Sequence, residues 1–451
     1  TVNLAPADLP KQGPAFDLPI AVGILFASEQ IKEHEVFHDA VFLGELSLDG
    51  TVRPVVGVLP VTIMAKEQGF KKIFVPKENV QEATVVEGID VYKIESLKDI
   101  LSIAQQVSQP QPENATNLTT KITSRDDVHD FSEIYGQEKA KRALEIAAAG
   151  AHNVLMFGPP GSGKTFLARA IPTILPPLDS SERLTVSKIY SILGRLSPEQ
   201  PILSERPFRS PHHTISRIGL IGGGQKITPG EITLAHRGVL FLDEFPEFPR
   251  SVLESLRQPL EDGWVQISRA NGTVVFPSQF MLIAAANPCP CGNYGNTTKQ
   301  CICSSTQIRR YLKRLSGPML DRIDIHIEVP IVDVEKVIKG YKDNTRETSN
   351  QIQQRVRLAR KIQRERLIDN GLLVNGEMTA RDIRTTCRLN KDGEELFQKA
   401  ITQIGLSVRG SHKILKIART IADLDNSVHI EIKHMAEALT YRHLPTIDHL
   451  H

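Results

Sequence analysis

Residues 153–165, NVLMFGPPGSGKT, set a glycine-rich turn between a short apolar run and a helix-like segment. Gly158, Pro159, Pro160, Gly161, Ser162, Gly163, Lys164 and Thr165 fit a phosphate-binding loop, whose backbone N–H groups close around a β-phosphate at a helix N-terminus. In that loop Lys164 reaches the β- and γ-phosphates of ATP, and the Thr165 hydroxyl ligates Mg2+. Strand, loop, Lys-Thr and helix in this order separate it from a bare glycine turn. A second apolar run, GVLFLDE at 238–244, ends in two acids. Asp243 is placed to hold Mg2+ through water, and Glu244 to polarise the attacking water as general base. A third run, FMLIAAAN, ends in Asn287, whose amide can orient the same water.

Two arginines complete the catalytic set. Arg322, in SGPMLDRIDIHIEVP (316–330), stands between a helix and a final strand. Oligomeric ATPases place there an arginine finger that neutralises charge on the neighbour's transferring phosphoryl group. An ion pair with Asp321 or Asp324 is the plainer alternative. Arg409, in GLSVRGSHKILKIA, opens a lid helix and is the candidate second sensor of the γ-phosphate. With both assigned so, the active unit is a ring, because a monomer cannot complete its own site.

Four of the five cysteines fall at 289, 291, 301 and 303, within NPCPCGNYGNTTKQCICSS. Four thiolates on a loop that folds back suit a closed, tetrahedral, structural Zn2+ site through Cys289, Cys291, Cys301 and Cys303. The Cys-x-Cys spacing is tighter than the usual Cys-x2-Cys, so metal-free thiols remain the alternative. The loop leaves from Asn287 and feeds a basic helix, TQIRRYLKRL, where Arg309, Arg310, Lys313 and Arg314 are candidates for DNA contact.

The elements that must position these groups follow from patterning. At 451 residues the chain exceeds what one core serves, and two or three domains are expected. Forty per cent hydrophobic and 24 per cent charged residues with a net charge of +2 describe a soluble globular protein without a chain-wide polybasic character. No apolar run approaches the ~20 residues of a membrane span. Thr1 does not open a signal peptide, the missing initiator Met points to residues before it, and few cysteines fit a cytoplasmic setting. Residues 1–106 alternate apolar strands and amphipathic helices, 107–127 read as a Pro/Asn/Thr-rich linker, 128–332 carry an α/β pattern, and 333–451 turn helical. The run RVRLARKIQRER at 355–366 reads as a solvated helix face or a phosphate-binding surface.

The series of motifs resembles the AAA+ superfamily. YGQEKAKRALEIAAAG (135–150), FRSPHHTIS (208–216), GGGQKITPGEITLAHRGVLFLDEF (222–245) and SGPMLDRIDI narrow it to the magnesium-chelatase-subunit-like ComM family of bacteria. The resemblance implies a hexameric, ATP-driven motor on single-stranded and branched DNA, promoting branch migration during natural transformation, with recombination proteins as further partners and no membrane. It also implies an α/β fold: an AAA+ P-loop core with a parallel sheet between helices, followed by a helical lid. The stretch 263–278, GWVQISRANGTVVFPS, has the Asn-Gly signal of a hairpin and resembles the pore hairpin of ring helicases, with Arg269 near its tip. Lys226 lies on the glycine run of a pre-Walker-B insertion. Both are candidate DNA-tracking residues, or else ordinary loop cations. His212 and His213 in SPHH are expected to point apart in a strand and to serve structure or subunit contact rather than metal. KQGPAFDLPIAVGIL and FLGELSLDGTVRPVVGVLPVTIMAKEQGFKKIFVP resemble part of a Lon-protease-like α/β domain without a Ser-Lys dyad, so an inactive scaffold is expected.

Alternatives remain open. A magnesium chelatase ATPase subunit, driving metal insertion into a porphyrin, would share the core. A transcriptional activator of AAA+ type would need a Phe-Thr pair that IGGGQKITPG lacks, and a non-enzymatic DNA scaffold would not need every catalytic position filled.

Overall fold

The computed structural model describes residues 13–31, 34–114, 129–225, 227–269, 272–295, 299–315, 317–332, 346–404 and 406–442. The expected linker, 107–127, lies outside the described residues from 115 onward. Two compact units emerge: Thr1–Thr123 with Leu178–Glu205 and Gln266–Val275, and Ser124–Pro177 with Arg206–Val265 and Phe276–His451.

The first unit is built on a three-stranded parallel sheet in the order Ala40–Phe42, Lys72–Pro76, Asp90–Ile94. Its register sets Phe42, Phe74 and Tyr92 side by side, and their rings stack with centroids 4.7 and 4.9 Å apart. Such cross-strand aromatic contacts hold one register against slippage. Helices Val58–Glu67, Leu97–Ala104 and Ser180–Ile192 complete the unit. The last two begin with reciprocal caps, Ser96 with Asp99 and Asp179 with Glu182, which satisfy N–H groups the first turn leaves without partners.

The second unit holds a five-stranded sheet in the order Ile325–Glu328, Val154–Phe157, Met281–Ala286, Val239–Leu242, Phe208–Arg209, parallel throughout. Its three central strands are buried along their whole length, which is why they read as unbroken apolar runs rather than alternating ones. Helices Glu138–Gly150, Lys164–Ile174, Ser349–Leu367 and Val408–Leu424 join the sheet in one apolar core. Part of the basic run of the Ser349–Leu367 helix is spent there, while Arg357, Lys361 and Arg364 are exposed. Arg355 pairs with Glu145 and Glu347, Arg360 donates to the Ala148 carbonyl, and Arg366 pairs with Asp423. Among the described residues no helix is long and apolar enough to cross a membrane.

Burial of His152, His236 and His326 is expected to make this unit acid-labile. Burial pushes the His152 imidazole down to about 4, and those of His236 and His326 to about 3. The unfolded chain, titrating near 6.5, therefore takes up protons that the folded unit refuses. Stability is complete above pH 6.5 and falls as pH drops below it, by roughly 1.4 kcal/mol per histidine per pH unit at the limit. Denaturant unfolding at pH 7 and pH 5.5 should show a loss of several kcal/mol, and equal stability at the two pH values would refute this account.

Candidate active site

The sheet brings the ends of its strands together where open α/β sheets bind ligands. Phe157 lies in register with Ala286, and the Gly158 N–H donates to the Ala286 carbonyl at 3.1 Å, so the phosphate loop and Asn287 leave the sheet side by side. Gly163 takes φ +90°, which only glycine adopts without strain, and turns the chain into the helix that starts at Lys164. The Lys164 ammonium folds onto the loop, donating to the carbonyls of Gly158 (2.7 Å) and Pro159 (2.8 Å) and to Asn287 Oδ1 (3.2 Å). Burial pushes it down to about 8. Thr165 Oγ1 donates to Asp243 Oδ2 at 2.7 Å, and Asp243 Oδ1 accepts the Glu244 N–H at 2.9 Å.

These groups fit Mg-ATP. Ser162 Oγ is buried and has no partner among the described residues, an orphan donor inside the loop. The Thr165 hydroxyl and the Asp243 carboxylate, already in contact, form the oxygen-rich pair that would hold Mg2+. Lys164 bonds neutral carbonyls that phosphate oxygens would outcompete, since charge-assisted bonds are about twice as strong.

Glu244 sits at φ +50°, unusual for a residue with a side chain and the kind of strain that active sites retain. Its carboxylate lies 3.2 Å from His213 Nδ1. The histidines do not point apart in a strand. The edge strand ends at Arg209, and beyond it the His212 and His213 rings lie 4.0 Å apart, with His213 edge-on to Phe248. A strand-based expectation failed because the chain turns before reaching them. His213 is thus a site residue that sequence reading missed; its one signal was proximity to an edge strand beside the acid strand.

Arg322 takes neither adjacent acid. Asp324 is held by Lys413 and Asp321 lies nearest Arg442, whereas Arg322 Nη2 pairs with Glu261 at 2.8 Å. Arg409 Nη2 reaches the same Glu261 carboxylate at 3.2 Å. Nothing in the sequence singles out Glu261.

The cysteine loop closes on itself. Sγ of Cys289, Cys291 and Cys301 lie 3.4–3.7 Å from one another, and all four thiol sulfurs, with Cys303, fall within 4.8 Å. A tetrahedral Zn2+ with bonds of ~2.3 Å demands sulfur–sulfur edges of about 3.8 Å, so the set fits that ion. Backbone N–H groups of Tyr294 and Cys303 donate to the sulfurs of Cys289 and Cys301. Burial pushes the Cys289 thiol up to about 12, while N–H groups of Asn293 and Ile302 hold Cys291 down to about 6. Gly292, at φ +78°, turns the loop against the phosphate loop, and a Cβ there would stand 2.5 Å from Pro160 Cδ. The basic helix, Ser305–Leu312, follows. Arg309, Arg310, Lys313 and Arg314 are exposed, and Arg314 pairs with Glu247 at 2.9 Å. Tyr311 of the same helix is buried, and the Asn287 backbone is among the groups that act on its phenol, a proximity the sequence did not suggest.

A two-stranded hairpin forms from Trp264–Arg269 and Gly272–Pro277, with Val274 and Val275 exposed. Arg269 ends its first strand; Lys226 and the tip residues 270–271 lie outside the described residues.

Comparison with known proteins gives this geometry its context. Residues 130–337 match the family model described as magnesium chelatase, subunit ChlI, residues 346–442 its C-terminal part, and residues 1–79 the model described as subunit ChlI of Mg-chelatase. Competence protein ComM of Haemophilus influenzae is 44% identical over 98% of this chain and 85% of its own length. The chain belongs to the ComM family. Another relative, the uncharacterised protein YifB of Escherichia coli, is 41% identical over 98% of this chain and 84% of its own. The magnesium-chelatase 38 kDa subunit of Rhodobacter capsulatus is 28% identical over 36% of this chain. Membership makes the five-stranded unit the core of a magnesium-chelatase-like AAA+ ATPase, whose nucleotide is ATP with Mg2+.

Proposed function

We propose that this ComM-family chain is an ATP-hydrolysing DNA motor that works as a hexameric ring in the cytoplasm. It drives branch migration as single-stranded DNA is integrated during natural transformation. The observation that carries this reading is the convergence of Lys164, Thr165, Asp243 and Asn287 in a chain 44% identical to a competence protein. Within a protomer the loop binds the phosphates, Thr165 and Asp243 hold Mg2+, and Glu244 takes the proton of the attacking water that Asn287 orients. Arg322 and Arg409 act on the phosphoryl group of a neighbouring copy. Exposed Arg309, Arg310 and Lys313, the hairpin with Arg269, and Lys226 supply phosphate contacts to DNA, whose affinity falls with salt. The cysteines hold a structural Zn2+, and the N-terminal unit serves as an inactive Lon-like scaffold for the ring.

The test is ATP-dependent resolution of synthetic three-strand and four-way junctions. The wild type should dissociate them and Lys164→Ala should not. ATP hydrolysis with every junction left intact would defeat the branch-migration reading. Insertion of a metal into a porphyrin by this motor is the second reading, favoured by the chelatase-subunit matches over residues 130–337 and 346–442. It is subordinate because relatives named as chelatase subunits match at lower identity over less of the chain.

A further inference from the structure

The guanidinium groups of Arg322 and Arg409 converge on one carboxylate, Glu261, although one stands just before the strand Ile325–Glu328 and the other in the helix Val408–Leu424. Arg322 is nearly enclosed, its side chain 12% exposed, and its contacts fix its orientation: Nε donates to the Arg257 carbonyl at 3.3 Å, Nη1 to the Pro318 carbonyl at 2.6 Å, and Nη2 pairs with Glu261 at 2.8 Å. Arg409 is 62% exposed and pairs with Glu261 at 3.2 Å. None of these partners belongs to the phosphate loop, to Asp243 or Glu244, or to Asn287. In the single protomer, therefore, the two arginines are gathered away from their own nucleotide.

The local charge is unbalanced. Two cations share one anion, and Arg409 lies in the first turn of the 17-residue helix Val408–Leu424, where no acid stands. A cation at that end opposes the helix dipole, and the N-terminal turn itself favours an anion. The carboxylate thus meets only part of the demand for negative charge. A terminal phosphate carries more charge and more acceptor oxygens than a carboxylate, and forks with guanidinium groups in the same way.

We propose that Glu261 is a positioning residue for the arginine pair. It occupies the place of a γ-phosphate in the lone protomer, keeps Arg322 and Arg409 together, and yields them to the nucleoside triphosphate of a second copy. This role rests on the ring reading above. Its consequence is that the triphosphate must displace an internal anion, so Glu261 sets how much nucleotide is needed to engage neighbouring protomers.

The full chain should be titrated with a fluorescent non-hydrolysable ATP analogue and Mg2+, at dilute and at self-associating protein concentrations. Glu261→Gln removes the competing charge with little change in shape. It should tighten analogue binding about fivefold in concentrated protein, the scale of a partly exposed ion pair, and leave dilute-protein affinity unchanged. Glu261→Asp, which keeps the charge, should stay near wild type. In the Arg322→Ala, Arg409→Ala background the Gln effect should vanish, which a merely structural ion pair would not require. An unshifted affinity in Glu261→Gln, or a shift that persists without the arginines or in dilute protein, overturns the proposal. Separately, wild-type affinity independent of protein concentration, together with full turnover by Arg322→Ala, would overturn the ring reading itself.

Discussion

Glu244→Gln is expected to lower ATP turnover by about 10²–10⁴-fold, the usual contribution of a positioned general base, while Mg-ATP still binds. The separation follows from the geometry. Binding groups are Lys164, Thr165 and Asp243, which contact one another or the loop, whereas the Glu244 carboxylate lies against His213. The amide keeps the shape and the His213 contact but cannot take a proton from water. The backbone at φ +50° aims this side chain, so its role depends on a conformation that most side chains avoid. Single-turnover hydrolysis and analogue affinity measure the two effects independently. Turnover within tenfold of wild type would remove Glu244 from the role of base.

Loss of the metal proposed at the four cysteines is expected to have the next largest effect, and to reach the nucleotide. The purified chain should carry about one Zn2+, and Cys289→Ser or Cys301→Ser should lose it, because a closed four-sulfur site contributes on the order of 10 kcal/mol to the fold of the segment it ties. Cys387 is the control: it stands apart from the cluster, and burial pushes its thiol up to about 11, so Cys387→Ser should keep the metal. The loop is not an isolated knuckle. It leaves the sheet at Asn287, its Gly292 turn rests on Pro160, and it continues into the helix whose buried Tyr311 lies near the Asn287 backbone. Chelation should therefore weaken ATP-analogue binding at least tenfold along with thermal stability. Metal-free protein with unchanged stability and unchanged nucleotide affinity would reduce the cluster to four unligated thiols.

The sequence by itself determined the α/β class of both units, the phosphate loop, the order of strands ending in Asp243 and Asn287, the hairpin and the grouping of four cysteines. These were legible because each is a contiguous segment whose backbone does the work: a glycine turn after a buried strand, an acid or amide at a strand end, paired thiols across a short loop. Family resemblance rested on the same local stretches. Tertiary structure alone decided the pairings. Arg322 had acids on both sides, Asp321 and Asp324, and took Glu261 instead; Arg409 took the same carboxylate from the far end of the unit. Glu247 pairs with Arg314 of the basic helix, and in the run at 355–366 Arg355 is held by Glu145 and Glu347 and Arg366 by Asp423, while Arg357, Lys361 and Arg364 stay exposed. His213 met Glu244 because the edge strand stopped short. The reason is physical. Many acids can satisfy an arginine equally well, so sequence spacing carries almost no information about which one does, and only the packing of distant segments brings one carboxylate within reach.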